Sequence, residues 1–259
     1  MKQYLRSERS LQSLFSGALL TREYGPAGFA LLEQAQQCVQ HFFGATPEKL
    51  SAFDLKTCLE RARKTVREPG FRSLTEGLIK ELGFSGPGLM LDDLRLRAVS
   101  PGLQDNPQAE AVFYAHRDTW YGNPSCQINL WLPLQKVDPS NSFRFYLDDF
   151  ESEIENDSAR FQSGHFRGFG CLEPVHTQVY PRATKEPGGR VHDVSMRPGE
   201  VLLFSAAHLH QTLPNLSGKV RFSLDCRFFF EQHLQQKRGA PDRDNRSHGL
   251  VLGDYRLCE

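Results

Sequence analysis

The apolar positions divide the chain into a helical first third and a strand-rich remainder. Between Ala27 and Gly44 ("AGFALLEQAQQCVQHFFG"), Phe29, Leu32, Cys38, Val39 and Phe42 recur near helical spacing, and Gly44 ends the run. The next stretch, "TPEKLSAFDLKTCLERARKTV", offers Thr46 as an N-cap and Pro47 at the first helical position. Leu50, Phe53, Cys58, Leu59, Ala62 and Val66 would form its buried stripe. A third, shorter helix is predicted over Ser73 to Leu82, with Gly83 just past its end. Near residue 90 the pattern changes. "LRLRAV" (Leu94 to Val99) alternates apolar and basic residues, as a half-buried strand does. "AVFYAHRD", "CQINLWLPL", "NSFRFYL", "EVLLFSAAHLHQT" and "KVRFSLDCRFFF" continue the series, and Pro and Gly turns separate most of them. Many short strands without helices between them predict a mainly β, antiparallel sandwich or barrel, a group that includes jelly rolls.

Residues 150–195 fit neither pattern. They are polar, Gly-rich and weakly periodic, and a loop of that length inside a compact domain is usually functional or disordered. They are read as a lid-like insert. The tail after about residue 233 reads as irregular polar structure over the surface of the strands. The expected organisation is a single domain over 1–259: an N-terminal helical layer (1–90), a β core (91–230) and a C-terminal tail (231–259).

Lys plus Arg and Asp plus Glu number 31 each, so the net charge is zero, which argues against a nucleic-acid partner. The six cysteines, at 38, 58, 126, 171, 226 and 258, show neither metal-finger nor redox spacing and read as reduced thiols. The first residues lack the sustained apolar run of a signal peptide, and no segment approaches the apolar length of a membrane span. A cytoplasmic protein without a membrane partner is expected. Oligomeric state is not written in the pattern.

The chemistry starts at "YAHRDTWYGNP" (Tyr114 to Pro124). On a strand, positions i and i+2 share a face, so His116 and Asp118 converge while Arg117 turns away. One imidazole nitrogen and one carboxylate oxygen are two members of a facial metal triad. The strand "PGEVLLFSAAHLHQTLPN" carries two candidates for the third, His208 and His210, and spacing alone does not choose between them. Beyond the turn "LPNLSGK" comes "RFS", where Arg221 and Ser223 share a face. An arginine facing an interior needs an anion, and a carboxylate gripped in a bidentate fork satisfies it.

"HRD", "LLFSAAHLHQTLPN" and "RFS", in that order, resemble the iron(II)/2-oxoglutarate-dependent dioxygenases, in particular the phytanoyl-CoA-dioxygenase-like branch. The resemblance spans about residues 94–230. It implies a double-stranded β-helix of the jelly-roll or cupin-like kind, with Fe(II) held by His116, Asp118 and His210. His210 is chosen over His208 because the family's phenylalanine-to-histidine spacing falls on Phe204 and His210. Arg221 takes the position that anchors 2-oxoglutarate, and Ser223 that of its partner. Trp131 sits where relatives place an aromatic, and with Gln127 and Asn129 it forms one face of "QINLW", so all three are cofactor-pocket candidates. Asp118 argues against a halogenase, in which that carboxylate is replaced. "NSFRFYLDDF" lacks the "GSH" ending usual in the branch, and no acyl-CoA signature is visible, so no CoA ester is assigned.

The implied activity is hydroxylation of a small metabolite by dioxygen, with release of succinate and carbon dioxide. One alternative is a hydroxylase of protein or peptide side chains. Another is a cupin-like metal-binding protein without turnover. Substrate-contact candidates are Tyr114 and Trp120, which flank the motif, and His165 and Arg167 in "GHFRGFG". The plainer reading makes Trp120 packing and the last pair an ordinary polar loop. His208 reads as a satisfied interior histidine in preference to a substrate contact, and Arg95 and Arg97 as a solvated or salt-bridged strand face, either of which could line a pocket mouth.

Overall fold

The computed structural model of the chain describes residues 2–163 and 180–258. Its helices are α1 (Lys2–Phe15), α2 (Pro26–Phe43), α3 (Ala52–Thr65), α4 (Pro69–Glu81) and α5 (Glu231–Gln235). Its strands are β1 (Leu20–Glu23), β2 (Leu89–Leu91), β3 (Arg95–Val99), β4 (Ile128–Pro133), β5 (Phe143–Tyr146), β6 (Val191–Asp193), β7 (Glu200–Ser205), β8 (His210–Thr212), β9 (Arg221–Phe230) and β10 (Arg256–Leu257). All paired strands are antiparallel and form two sheets. The larger runs β1-β7-β4-β9-β2-β10, with β3 also on β9; the smaller runs β6-β5-β8.

Period-two alternation sorts the larger sheet into two faces. Ile128, Leu130, Val201, Leu203, Leu224, Cys226 and Phe228 join one apolar core with Leu31, Ala35, Leu59, Ala62, Leu78 and Ile79 of the helices. The intervening positions Trp131, Leu202 and Phe204 pack with Phe143 and Phe145 of the smaller sheet. Covered on both sides, β4 is buried at all six residues, which is why it reads as a nearly continuous apolar run. On β9 the face turned from the helices carries Arg221, Ser223, Asp225 and Arg227, and these line a cavity of about 520 Å³.

The helices are placed by local chemistry. Pro26 opens α2, and the Glu81 carboxylate at the end of α4 accepts from the amides of Ala27 (2.9 Å) and Gly28 (3.4 Å), two donors the helix itself leaves unpaired. The N-cap of α3 is Ser51, whose hydroxyl accepts from the Asp54 amide at 3.1 Å. Thr46 and Pro47 instead open a separate 3-10 turn, Pro47–Lys49, and Thr46 makes no side-chain capping bond. Phe53 lies outside the buried stripe and is exposed, as is Phe29 on α2. Pro47 starts a helical turn wherever it falls; the Ser51–Asp54 bond decides where the long helix starts. Gly83 does follow α4, with φ +94°.

Three expectations change. The content is mixed helix and antiparallel sheet rather than mainly β: the α-helices hold more residues than the strands. "AVFYAHRD" is not a strand. Residues Pro107–Phe113 and Asp118–Tyr121 are 3-10 helices, and only a short extended link with a single bridge, His116 to His210, lies between them. The C-terminal tail is not superficial: Asp244 and Tyr255 are buried, and β10 pairs with β2. Of residues 150–195, β6 joins the smaller sheet, while 164–179 lie outside the described residues. No helix among the described residues is long and apolar enough to cross a membrane.

Candidate metal centre and its cavity

His116, Asp118 and His210 form the one metal-binding cluster among the described residues, with ligand atoms all within 4.8 Å of one another. The backbone brings them together. His116 and His210 exchange both amide–carbonyl hydrogen bonds across their bridge, at 3.0 Å each. Asp118 then starts a 3-10 turn that ends at Gly122, with φ +71°, where a Cβ would stand 2.8 Å from the Gly249 carbonyl oxygen.

Backbone carbonyls fix both imidazole tautomers. His116 Nδ1 lies 2.9 Å from the Tyr114 carbonyl oxygen, and His210 Nδ1 lies 2.9 Å from that of His208. A carbonyl only accepts, so each Nδ1 carries the proton and each Nε2 keeps its lone pair for a metal. Burial, helped by neighbouring His210, pushes the His116 pKa down to about 4, so the ring is neutral at pH 7. For Asp118, burial works upward, but Arg227, His210, His116 and the Asn129 hydrogen bond outweigh it and hold the carboxyl at about 2.

Asp118 is oriented through its second oxygen. Oδ2 accepts from Asn129 Nδ2 at 2.6 Å and from Gln127 Nε2 at 3.4 Å. Gln127 also donates to Asn129 Oδ1 at 3.0 Å and accepts from the Tyr255 hydroxyl at 2.5 Å. Oδ1 is thereby left toward His116 Nε2, 3.7 Å away, and Arg227 Nη2 lies 3.9 Å from the same oxygen. Asn129→Ala is expected to weaken metal binding by about 10- to 100-fold while the chain stays folded, because it removes the shortest bond that holds the ligand carboxylate. Cobalt(II) equilibrium dialysis measures the change, and unaltered affinity would show that the bond does not orient Asp118.

At the same cavity, Arg221 and Ser223 are buried. Arg221 Nη1 donates to the Asn141 carbonyl at 3.1 Å, but among the described residues Arg221 Nε and Ser223 Oγ have no hydrogen-bond partner. Burial and the nearby Arg97 lower the Arg221 pKa to about 10, so the guanidinium remains charged at pH 7. A buried cation and hydroxyl with open positions on one cavity wall suit a carboxylate. Trp131, Phe143 and Phe204 supply an apolar wall beside them.

A sequence model of the phytanoyl-CoA dioxygenase family (PhyH) matches residues 58–223, well over half of the chain and the part that carries all five of these polar residues. The chain belongs to this family. It is thus a 2-oxoglutarate-dependent oxygenase, and its His–Asp–His cluster suits iron. Among solved structures it resembles EvdO2 from Micromonospora carbonacea var. aurantiaca, at 13% identity, with 86% of this chain and 90% of that one covered and a TM-score of 0.54. EvdO2 complexed with 2-oxoglutarate gives 12% identity, the same coverage and 0.52. The 2-oxoglutarate-dependent carbocyclase SnoK from nogalamycin biosynthesis gives 14%, 98% and 96% coverage, and 0.51. At such identities these likenesses concern the fold. No curated protein sequence matches the chain.

The other residues expected in a PhyH-family pocket divide sharply. Asn129 and Trp131 line the cavity; Gln127 is fully buried behind Asn129 and does not. Trp120, on the 3-10 turn, is also fully buried and donates through Nε1 to Asp244 at 2.8 Å, so it packs behind the site and makes no cavity wall. Tyr114 is not among the cavity residues either; the Arg182 guanidinium covers its ring at 4.6 Å. His165 and Arg167 lie outside the described residues. Arg95 and Arg97 are salt-bridged, to Asp92 and Asp254 and to Asp225 respectively, and both also line the cavity. The residues that sequence reasoning missed are Arg227, Tyr121 and Tyr180 at the cavity and Asp244 and Tyr255 behind it.

Proposed function

We propose that the chain is an iron(II)- and 2-oxoglutarate-dependent hydroxylase of a small metabolite, with His116, Asp118 and His210 as metal ligands. The observation that carries this reading is the pairing of a three-ligand cluster with an open-valenced Arg221 and Ser223 on one cavity wall. Bound iron, with 2-oxoglutarate and dioxygen, supplies the oxidation of a substrate C–H bond to C–OH, coupled to formation of succinate and carbon dioxide.

The protein's own contributions are binding and orientation. Arg221 and Ser223 receive the far carboxylate of 2-oxoglutarate as a charge-assisted pair. The two Nδ1–carbonyl bonds turn both imidazoles so that Nε2 faces the cluster. Asn129, backed by Gln127 and Tyr255, leaves one Asp118 oxygen for the metal. Trp131, Phe143 and Phe204 keep water from the reacting groups. A volume of about 520 Å³ suits a small molecule better than a polypeptide segment. The reading includes a single domain, with the two facing sheets as the halves of a double-stranded β-helix. It also includes a cytoplasmic setting, which suits the free cysteines 38, 58, 126, 226 and 258 among the described residues.

The test is spectroscopic and needs no substrate. Iron(II) and 2-oxoglutarate added under nitrogen are expected to give the visible charge-transfer band of their chelate. Arg221→Ala is expected to raise the 2-oxoglutarate concentration needed by about 30-fold or more, the low end of the roughly 2–5 kcal/mol for truncating one member of a buried charged pair. Native, folded protein that gives no band would overturn the proposal.

A further inference from the structure

Arg227 poses an electrostatic problem. Its guanidinium lines the cavity, and Nη2 lies 3.9 Å from Asp118 Oδ1, the carboxylate oxygen left for the metal. A positive charge at that place opposes the entry of a divalent cation. Orienting the ligand does not require it, because Asn129 already holds Oδ2 through a neutral amide at 2.6 Å.

The fold fixes Arg227 where it is. The β4–β9 register sets it opposite Asn129, so two cross-strand neighbours face one oxygen of Asp118 each. Asp92 clamps its peptide on both sides. The Arg227 amide donates to Asp92 Oδ1 at 2.7 Å, and the Asp92 amide donates to the Arg227 carbonyl at 2.9 Å. Asp92, Asp225 and Asp254 are each engaged by another guanidinium: Arg95 donates to Asp92 and, at 3.1 Å, to Asp254, and Arg97 grips Asp225 at 2.6 and 3.2 Å. Asp92 and Asp225 also attract Arg227 from farther away. Among the described residues, Asp118 is the one carboxylate within ion-pair distance of its side chain, and the other polar contact is Asn123 Oδ1 at 3.5 Å.

Without a metal, two neutral imidazoles and one carboxylate make the cluster a buried anion, and Arg227 is its counter-ion. A metal on Oδ1 takes over that compensation, and the guanidinium then faces a second cation. An arriving dianion relieves the repulsion. One charge thus acts with opposite sign on the two ligands of the site. We infer that Arg227 is a positioning residue that couples them: set against Asp118, it loosens the hold on the metal alone and strengthens the hold of the metal-loaded site on 2-oxoglutarate. The assignment rests on the oxygenase reading and deepens it.

Three variants separate charge from packing. Arg227→Gln and Arg227→Met remove the charge, Arg227→Lys keeps it, and unfolding midpoints show which of them are folded. Cobalt(II) dialysis without 2-oxoglutarate is expected to show about 5- to 10-fold tighter binding in the neutral variants, opposite in sign to Asn129→Ala on the same carboxylate. 2-Oxoglutarate is then titrated into protein saturated with iron(II) under nitrogen, and the neutral variants are expected to need about 5- to 10-fold more of it to develop the charge-transfer band. Arg227→Lys is expected to stay close to native in both, since a contact at 3.9 Å is one of charge and not a bidentate fork. A site that merely loosens would hold both ligands more weakly. Native protein without the band removes the oxygenase reading and this inference with it. With the band present, cobalt affinity that falls or stays level in the neutral variants, 2-oxoglutarate binding that does not weaken, or a lysine variant that follows the glutamine one would overturn the inference and leave the oxygenase reading standing.

Discussion

His210→Ala is expected to leave a folded protein that has lost ferrous iron, whereas His208→Ala keeps the metal and loses stability. The two rings stand two residues apart, yet their surroundings assign them opposite work. His210 spends only Nδ1 on a backbone carbonyl and keeps Nε2 for the cluster with His116 and Asp118. His208 spends both nitrogens. Its Nε2 donates to the Gly17 carbonyl at 3.1 Å, which leaves Nδ1 as acceptor for the Ser205 amide at 3.2 Å. Its ring lies 4.5 Å from that of Phe150 and 5.5 Å from that of Phe145, and burial pushes its pKa down to about 4. A neutral ring with both nitrogens engaged has no lone pair to give. Losing an outer partner costs about 10- to 100-fold in metal affinity, so deleting a ligand should cost more than ~100-fold. His208→Ala opens a buried cavity and breaks two hydrogen bonds, for an expected loss of about 2–4 kcal/mol. Anaerobic iron titration and urea unfolding of both variants separate the roles. Iron retained by His210→Ala and lost by His208→Ala would exchange the two assignments.

How much of this was legible in the sequence depends on what each signal measures. The residue types of the cluster could be read because chemistry restricts them: two imidazoles, one carboxylate, then an arginine and a serine. Their convergence was argued from a strand, and the strand does not exist. Extended backbone from Tyr114 to Arg117 and the bridge to His210 do the work over a few residues, and a 3-10 turn takes over at Asp118. Period-two reasoning therefore carried His116 to the right place and misplaced Tyr114, while the plainer reading of Trp120 as packing fits its burial on the turn. The choice between His208 and His210 also escaped periodicity, because β7 ends at Ser205 and the chain turns before β8 begins at His210.

Other residues were legible and overlooked. "RFSLDCR" alternates without exception: Phe222, Leu224 and Cys226 enter the core, so Arg221, Ser223, Asp225 and Arg227 share the opposite face. The step that joined Arg221 to Ser223 extends to Arg227, which stands 3.9 Å from Asp118. Asp244 and Tyr255 carried no such signal. They sit in a polar, aperiodic tail, and their burial is set by partners more than a hundred residues away in sequence.

Arg117→Met and Asp244→Ala are each expected to destabilise the fold by about 3–5 kcal/mol, because each breaks a buried ion pair and leaves a charge behind. Arg117 lies between two candidate ligands and faces away from them, and its five N–H groups meet five acceptors. Nε donates to Asp244 Oδ2 at 3.0 Å; Nη1 donates to the Phe150 carbonyl at 3.4 Å and to that of Ala207; Nη2 donates to those of Asp149 at 2.6 Å and Ser152 at 2.9 Å. Asp244 is saturated in turn. Its Oδ1 accepts from Trp120 Nε1 at 2.8 Å, and its Oδ2 accepts also from the Ile154 amide at 3.0 Å. One side chain thus ties the His116–Asp118 segment to the turn before His208, to residues 149–152 and to the C-terminal tail. The pair is a strut for the metal site as well as for the fold, so iron affinity is expected to fall with stability in both variants. Arg117→Met/Asp244→Ala is expected to lose less than the sum of the two single changes, since no unpaired charge remains; the carbonyls that Arg117 served still cost something. Urea unfolding of the three metal-free variants measures the coupling. Single losses below about 1 kcal/mol would place the pair with weak surface bridges and remove the strut. Strictly additive losses would mean that Arg117 stabilises through its carbonyl bonds alone, with the tail contributing nothing to the site.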